Sequence, residues 1–443
     1  MNRAAVALAL AGALVACKRK QVPFQPPPED DAAVAAVDAA AEVDAAVLVE
    51  PLGATKIVVG NHASCAIMVD ATVRCWGKNS DGQLGNGTTA DSPVPVQPNL
   101  RGVKDIVLGA AHACALLDDQ SITCWGKINF GSREKLLAPT GVPGIAKAKR
   151  IFAVGAASCA TLDNTSLVCW GDVDVKGRLR LSGGPVEHRV PTPTAGLSRV
   201  VALTANGALH EDGTVSFWGT DGVPVRTAIA GAIEVASTGD EVCALRRDGK
   251  VACAGPATRC AAAAPKPPAP KHAPAKKPAA KKAPAKKGKP VKPANKAPAK
   301  PAEPPKAALM PFEVLRLPAA KHLAFDAGLC VVTRAGKLQC LASGDGCKVD
   351  APWPGLARVD YVTGSCAREA DGDARCWFVD RKSRTVAEVE GVGGAISVAA
   401  SSSHACAILG DRSIVCWGSN RHGALGRGKA DEQAYPEASP VTL

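Results

Sequence analysis

Aromatic side chains make up only 4% of this 443-residue sequence, with two Tyr, seven Phe and seven Trp. Any core must therefore be built mainly from Ala, Val, Leu and Ile. Beyond the first seventeen residues no apolar run reaches the roughly 18 residues that a membrane-spanning helix needs. Helical periodicity is nowhere sustained. The signatures G-x-S-x-G, G-x-x-x-x-G-K-[ST] and H-E-x-x-H are all missing. The chain is therefore expected not to be an enzyme, and no catalytic, cofactor or metal residue is nominated. Acidic residues are scarce in one stretch: residues 265–306 hold 13 Lys and one acid, Glu303. The whole chain carries a net charge of +12, so the remainder sums to zero and is not basic.

What is abundant is turn and cross-link chemistry: 43 Gly, 34 Pro and 17 Cys. The opening residues, MNRAAVALALAGALVAC, place one early cation, Arg3, before an apolar stretch from Ala4 to Ala16. That pattern reads as an export signal with a short apolar region. Its end, Leu14-Val15-Ala16-Cys17, resembles the bacterial lipobox, which implies cleavage after residue 16 and a lipid on Cys17. An ordinary signal peptide with a coincidental Cys is the alternative. The expected location is the bacterial cell envelope, lipid-anchored and facing the periplasm or the exterior. Residues 17–50 then read as a lipidated start and a disordered tether, about 33 residues with a span of roughly 30 Å.

From Ile57 a unit recurs: a short apolar strand, a turn, a Cys-Ala-Leu-like strand, a polar turn, then Val-x-Cys-Trp-Gly. Two cysteines ten positions apart mark seven of the units: Cys65 and Cys75, Cys114 and Cys124, Cys159 and Cys169, Cys243 and Cys253, Cys330 and Cys340, Cys366 and Cys376, Cys406 and Cys416. An eighth unit, GALHEDGTVSFWG, has Gly207 and Phe217 in their places. The units start 36 to 49 residues apart, apart from one gap of 87 that contains the Lys-rich segment. Short strands at such a period point to a repeat architecture, and a closed propeller satisfies the strand edges.

Both ends of the array carry a fuller signature, WGKNSDGQLGNG from Trp76 and WGSNRHGALGRG from Trp417. Trp76, Gly77, Gly82, Leu84 and Gly85, with Trp417, Gly418, Gly423, Leu425 and Gly426, resemble the regulator-of-chromosome-condensation repeat family. The resemblance covers most of residues 57–440 outside the Lys-rich segment. It implies an all-β propeller, in that family usually of seven blades; eight hairpin units here leave seven or eight open. The expected layout is units one to five over 51–260, a disordered insert over 261–308, and units six to eight over 309–443.

A hairpin can bring two cysteines ten apart to disulfide distance, and an oxidising compartment would keep the bond. Metal binding is the alternative, with His62, His112 and His404 near the cysteines, but structural zinc uses closer paired cysteines. Free thiols are the third reading. The histidines are expected to be buried, hydrogen-bonded and structural. Asp70, Asp118, Asp119, Asp163 and Asp248 recur at hairpin turns and are read as turn formers. Phe217 and Trp218 are expected to do part of what sulfur does elsewhere. Cys260 and Cys347 each follow the second Cys of their unit by seven residues, and are expected to pair across adjacent units.

The function expected from these features is an exported lipoprotein that presents a stapled propeller to a protein or ligand, itself monomeric. One rival is a secreted enzyme or enzyme inhibitor using one propeller face. Another is a binder of polyanions or envelope polymers through the Lys-rich insert, whose contacts would be salt-sensitive.

Overall fold

The computed structural model describes residues 53–128, 134–172, 187–219, 222–238, 241–255, 313–315, 317–325, 329–341, 352–353, 355–379 and 384–443. Among them are eight antiparallel sheets, seven of four strands and one of three, with strands in chain order or its reverse. No strand is exchanged between sheets. The first strands are Ala54–Val59, Val103–Leu108, Ala148–Val154, Val200–Leu203, Ala232–Thr238, Ala320–Phe325, Val359–Thr363 and Ala395–Ala400. Each lies beside the first strand of the next sheet, and the eighth lies beside the first. The sheets therefore converge on an axis along their first strands, and the result is an eight-bladed β-propeller.

Why each unit forms a hairpin is visible in its register. Cys65 stands directly opposite Cys75, and the same one-to-one pairing recurs in all seven cysteine units. The intervening turn is closed by an acid: the Asp70 carboxylate accepts from the Thr72 amide at 3.0 Å and hydroxyl at 2.7 Å. Asp119, Asp212 and Asp411 repeat this arrangement with Ser121, Thr214 and Ser413. Such short side-chain bonds hold the turn locally. The glycine after four of the tryptophans is required by the backbone, since Gly77, Gly126, Gly171 and Gly418 have φ of 97°, 92°, 94° and 100°.

The core sits between blades rather than within them. Eight apolar clusters fill the eight blade-to-blade interfaces, one cluster each. Side chains alternate along a strand, so adjacent Cys75 and Trp76 enter different clusters. Cys75 faces blade two with Trp125, while Trp76 faces blade eight with Cys406 and Cys416. Each hairpin that has both thus offers its cysteines to the next blade and its tryptophan to the previous one.

The Lys-rich segment falls between hairpins five and six. In strand terms the fifth sheet continues beyond it, because Glu313–Val314 pairs with Val251–Ala254 as that sheet's fourth strand.

Candidate functional site

The structure joins Cys65 to Cys75, Cys114 to Cys124, Cys159 to Cys169, Cys243 to Cys253, Cys330 to Cys340, Cys366 to Cys376 and Cys406 to Cys416. Their Cα separations are 3.9 to 4.1 Å, the close kind of antiparallel pair. Glu241 lies beside Cys243 and Cys253, but both sulfurs are spent in a disulfide, so the trio offers no metal set. Cys17, Cys260 and Cys347 lie outside the described residues.

The cysteine-free blade shows what the sulfur does. A side chain at Gly207 would overlap Val242 of blade five. Phe217, 2% exposed, packs with Val242 and Ala254. Blade five carries Ala254 where six of the blades carry tryptophan, so Phe217 supplies bulk missing from the partner. Trp218 does not share that task. It faces blade three against Cys159 and Cys169.

Two blade interfaces are also clasped by buried polar pairs. His404 Nε2 lies 2.7 Å from Ser64 Oγ across the eighth and first blades, and His112 Nε2 lies 2.8 Å from Ser158 Oγ across the second and third. Each serine also approaches a disulfide sulfur of the histidine's blade. Burial lowers the His112 pKa to about 4, and burial with the nearby His62 lowers that of His404 to about 3. Both imidazoles are therefore neutral at pH 7. His62 departs from the expected pattern: it is only half-buried, and its Nδ1 has no hydrogen-bond partner.

The two full signatures cap their neighbours. Trp125 Nε1 donates to Gln83 O at 2.8 Å, and Trp76 Nε1 donates to Ala424 O at 3.0 Å. Gln83 and Ala424 occupy the same signature position, so blade one caps blade two and blade eight caps blade one. Asn79 and Asn420 hold these loops by bonding backbone groups within them. Where the signature is eroded, the buried Trp170 and Trp218 indole nitrogens have no partner.

A further feature, without a motif to announce it, lies where the first strands begin. Every first strand has a bulge at its second residue: Thr55, Lys104, Lys149, Val201, Ile233, Lys321, Asp360 or Ile396. A bulge re-aims side chains, and these lie together at the hairpin-turn end of the axis. Lys56 and Asp105 pair between blades one and two. From blade five to blade eight the belt becomes an arc. The amide of Leu323 donates to Glu234 Oε2 at 3.1 Å, and His322 Nδ1 lies 3.4 Å from the same oxygen. The His322 ring meets Tyr361 edge-on at 5.7 Å, Lys321 lies 3.8 Å from Asp360, and Arg368 bonds both Asp360 and the Ile396 carbonyl. Burial raises the pKa of Glu234 and of Tyr361. Apolar groups stand exposed along the arc: Ile233 at 50%, Tyr361 at 41% and Ile396 at 52%. The signal was available only by aligning the eight first strands on their bulges, which leave no mark in composition.

These features define a closed propeller whose hairpins are stapled by disulfides and in which two signature loops cap the tryptophans of the neighbouring blades. The regulator of chromosome condensation (RCC1) repeat matches residues 70–116, and a second form of the repeat matches residues 54–83, 103–131 and 395–424. The chain thus carries RCC1-type repeats over residues 54–131 and 395–424. No curated protein sequence matches it. Among solved structures, human WBSCR16 is similar with 13% identity over 84% of this chain and 94% of that one, at a TM-score of 0.50. Prp20p of Saccharomyces cerevisiae, described for its binding to Gsp1p and histones, has 14% identity over 88% and 76%, at a TM-score of 0.37. The computationally designed protein Ika8 has 11% identity over 83% and 96%, at 0.44. Among the described residues no helix is long and apolar enough to cross a membrane.

Proposed function

We propose that this protein is an exported scaffold, lipid-anchored through Cys17 in a bacterial envelope, that docks a protein partner on the arc from Ile233 to Ile396. The arc carries this reading. Exposed Tyr and Ile beside Arg368 and a partly desolvated carboxylate match the composition of interface centres, where Tyr and Arg are enriched. The seven disulfides support an oxidising compartment. The arc is read as a binding surface rather than a catalytic one because its side chains lie open along four blades instead of converging in a cleft.

The test places a photo-crosslinking residue at Tyr361 in envelope-bound protein and compares it with Ile233→Asp and Ile396→Asp variants carrying the same probe. One dominant crosslinked partner, lost in both variants at an unchanged melting midpoint, is expected. An undiminished partner in the variants overturns the arc as the docking site. Cys17→Ser should release the protein or leave its precursor uncleaved; full membrane retention refutes the anchor.

A further inference from the structure

The seam between the first and last blades brings together two histidines that are 360 positions apart in sequence. Their rings meet edge-on with centroids 5.5 Å apart. Both backbones are left-handed, with φ of 62° at His62 and 61° at His422, a conformation uncommon outside glycine that is worth explaining where it recurs at one place. His422 Nδ1 lies 2.6 Å from Asp91 Oδ2. That contact leaves the proton on Nδ1 and a lone pair on Nε2, the arrangement in which a carboxylate orients a metal-ligating imidazole. Across from it, His62 Nδ1 is buried without any hydrogen-bond partner.

We propose that His62 and His422 together bind one divalent transition-metal ion of the zinc, nickel or copper class, with Asp91 as the orienting partner of His422. The spacing fits. A metal about 2.0–2.1 Å from an imidazole nitrogen lies about 3.2 Å from the ring centre, so two imidazoles at a tetrahedral angle hold their centres about 5.2 Å apart. Two nitrogen ligands leave the remaining positions to solvent, as suits an open site at the surface. Imidazole ligands select this class over magnesium or calcium, which prefer oxygen. The positive charge of Arg421 is partly met by Glu432 at 3.3 Å. The nearby His404 does not join the set, because its two nitrogens are engaged by Ser64 and Ser403.

An ion here would bridge blades one and eight, so binding should be read in stability as well as stoichiometry. The purified full chain is titrated with ZnCl2, NiCl2 and MgCl2, following bound metal by calorimetry and the thermal midpoint in parallel. One Zn2+ per chain with an upward shift of the midpoint is expected, with no response to Mg2+. His422→Ala and the double variant His62→Ala/His422→Ala should lose both responses, and Asp91→Asn should weaken affinity about 10-fold or more. His422 is on the surface, so its replacement keeps the test valid should His62→Ala fail to fold. Undiminished zinc binding in the double variant, or no zinc binding by the wild-type chain, overturns the site.

Discussion

Moving the protein from pH 7 to pH 5 should weaken it through His112 and His404. The ordinary pKa of an unfolded histidine is about 6.5, whereas these two fall to about 4 and about 3 in the fold. At pH 5 the unfolded chain therefore binds two protons that the folded chain does not, so stability falls as pH falls through this window. Each residue contributes about 2 kcal/mol of loss between pH 7 and pH 5, or about 4 kcal/mol together, from 1.36 kcal/mol per pKa unit across the titrated interval. His62 and His210 are shifted in the same direction, so wild-type pH dependence alone does not isolate the pair. Urea unfolding at both pH values should be run on wild type and on His112→Gln/His404→Gln, whose amides can still bond Ser64 and Ser158. The double variant should lose about 4 kcal/mol less than wild type over the window. Equal losses in the two proteins would refute the assignment of these imidazoles as buried and neutral.

Gly85 and Gly87 both have positive φ, at 69° and 83°, but a side chain at Gly85 meets Trp125 at 2.8 Å whereas one at Gly87 meets nothing within 4 Å. Gly85→Ala should therefore lower the thermal midpoint clearly more than Gly87→Ala, by an extra 1–3 kcal/mol or so of overpacking. Replacing Cys114 and Cys124 with Ser should remove about 2–3 kcal/mol, given the short loop they close; an unchanged midpoint would show that the bond adds nothing. Under reduction, hydrogen exchange in Val200–Leu203 and Gly207–His210 should change less than in the stapled hairpins, and earliest collapse there would contradict the role given to Phe217. Deleting residues 265–306 should leave the midpoint nearly unchanged, because Glu313–Val314 remains available to complete its sheet. Non-reducing peptide mapping should recover Cys260 linked to Cys347; alkylation of either without reduction would rule that out.

The hairpins were legible because cysteines ten apart mark the register in seven units, and the unit without them, Gly207 to Phe217, keeps the same pairing. The hairpin count of eight stood against the seven blades usual in the family the chain resembles, and the structure has eight sheets. The histidine reading held for His112 and His404 but not for His62, since burial depends on the neighbouring blade and not on the local motif. Likewise Phe217 compensates for Ala254 of the following blade, a relation between positions 37 residues apart that no repeat alignment displays. The arc was invisible for the same reason. Ile233, His322, Tyr361 and Ile396 come from four successive units, and their shared feature is a bulge that comes from backbone register rather than side-chain type.

Placing every core between blades means that no blade possesses an interior. The unfolded chain can close its hairpins one by one and oxidise each pair locally. Yet the outer faces of any partial stack remain apolar, with the cysteines of the newest hairpin bare on one side and Trp76 bare on the other. Only the arrival of residues 395–441, which bring Cys406, Cys416, Leu425 and Val441 against Trp76, covers both faces at once. Maturation of this protein is thus a single late event. A truncation before that last blade would leave an oxidised but adhesive intermediate, and quality control need recognise nothing more than an unclosed ring.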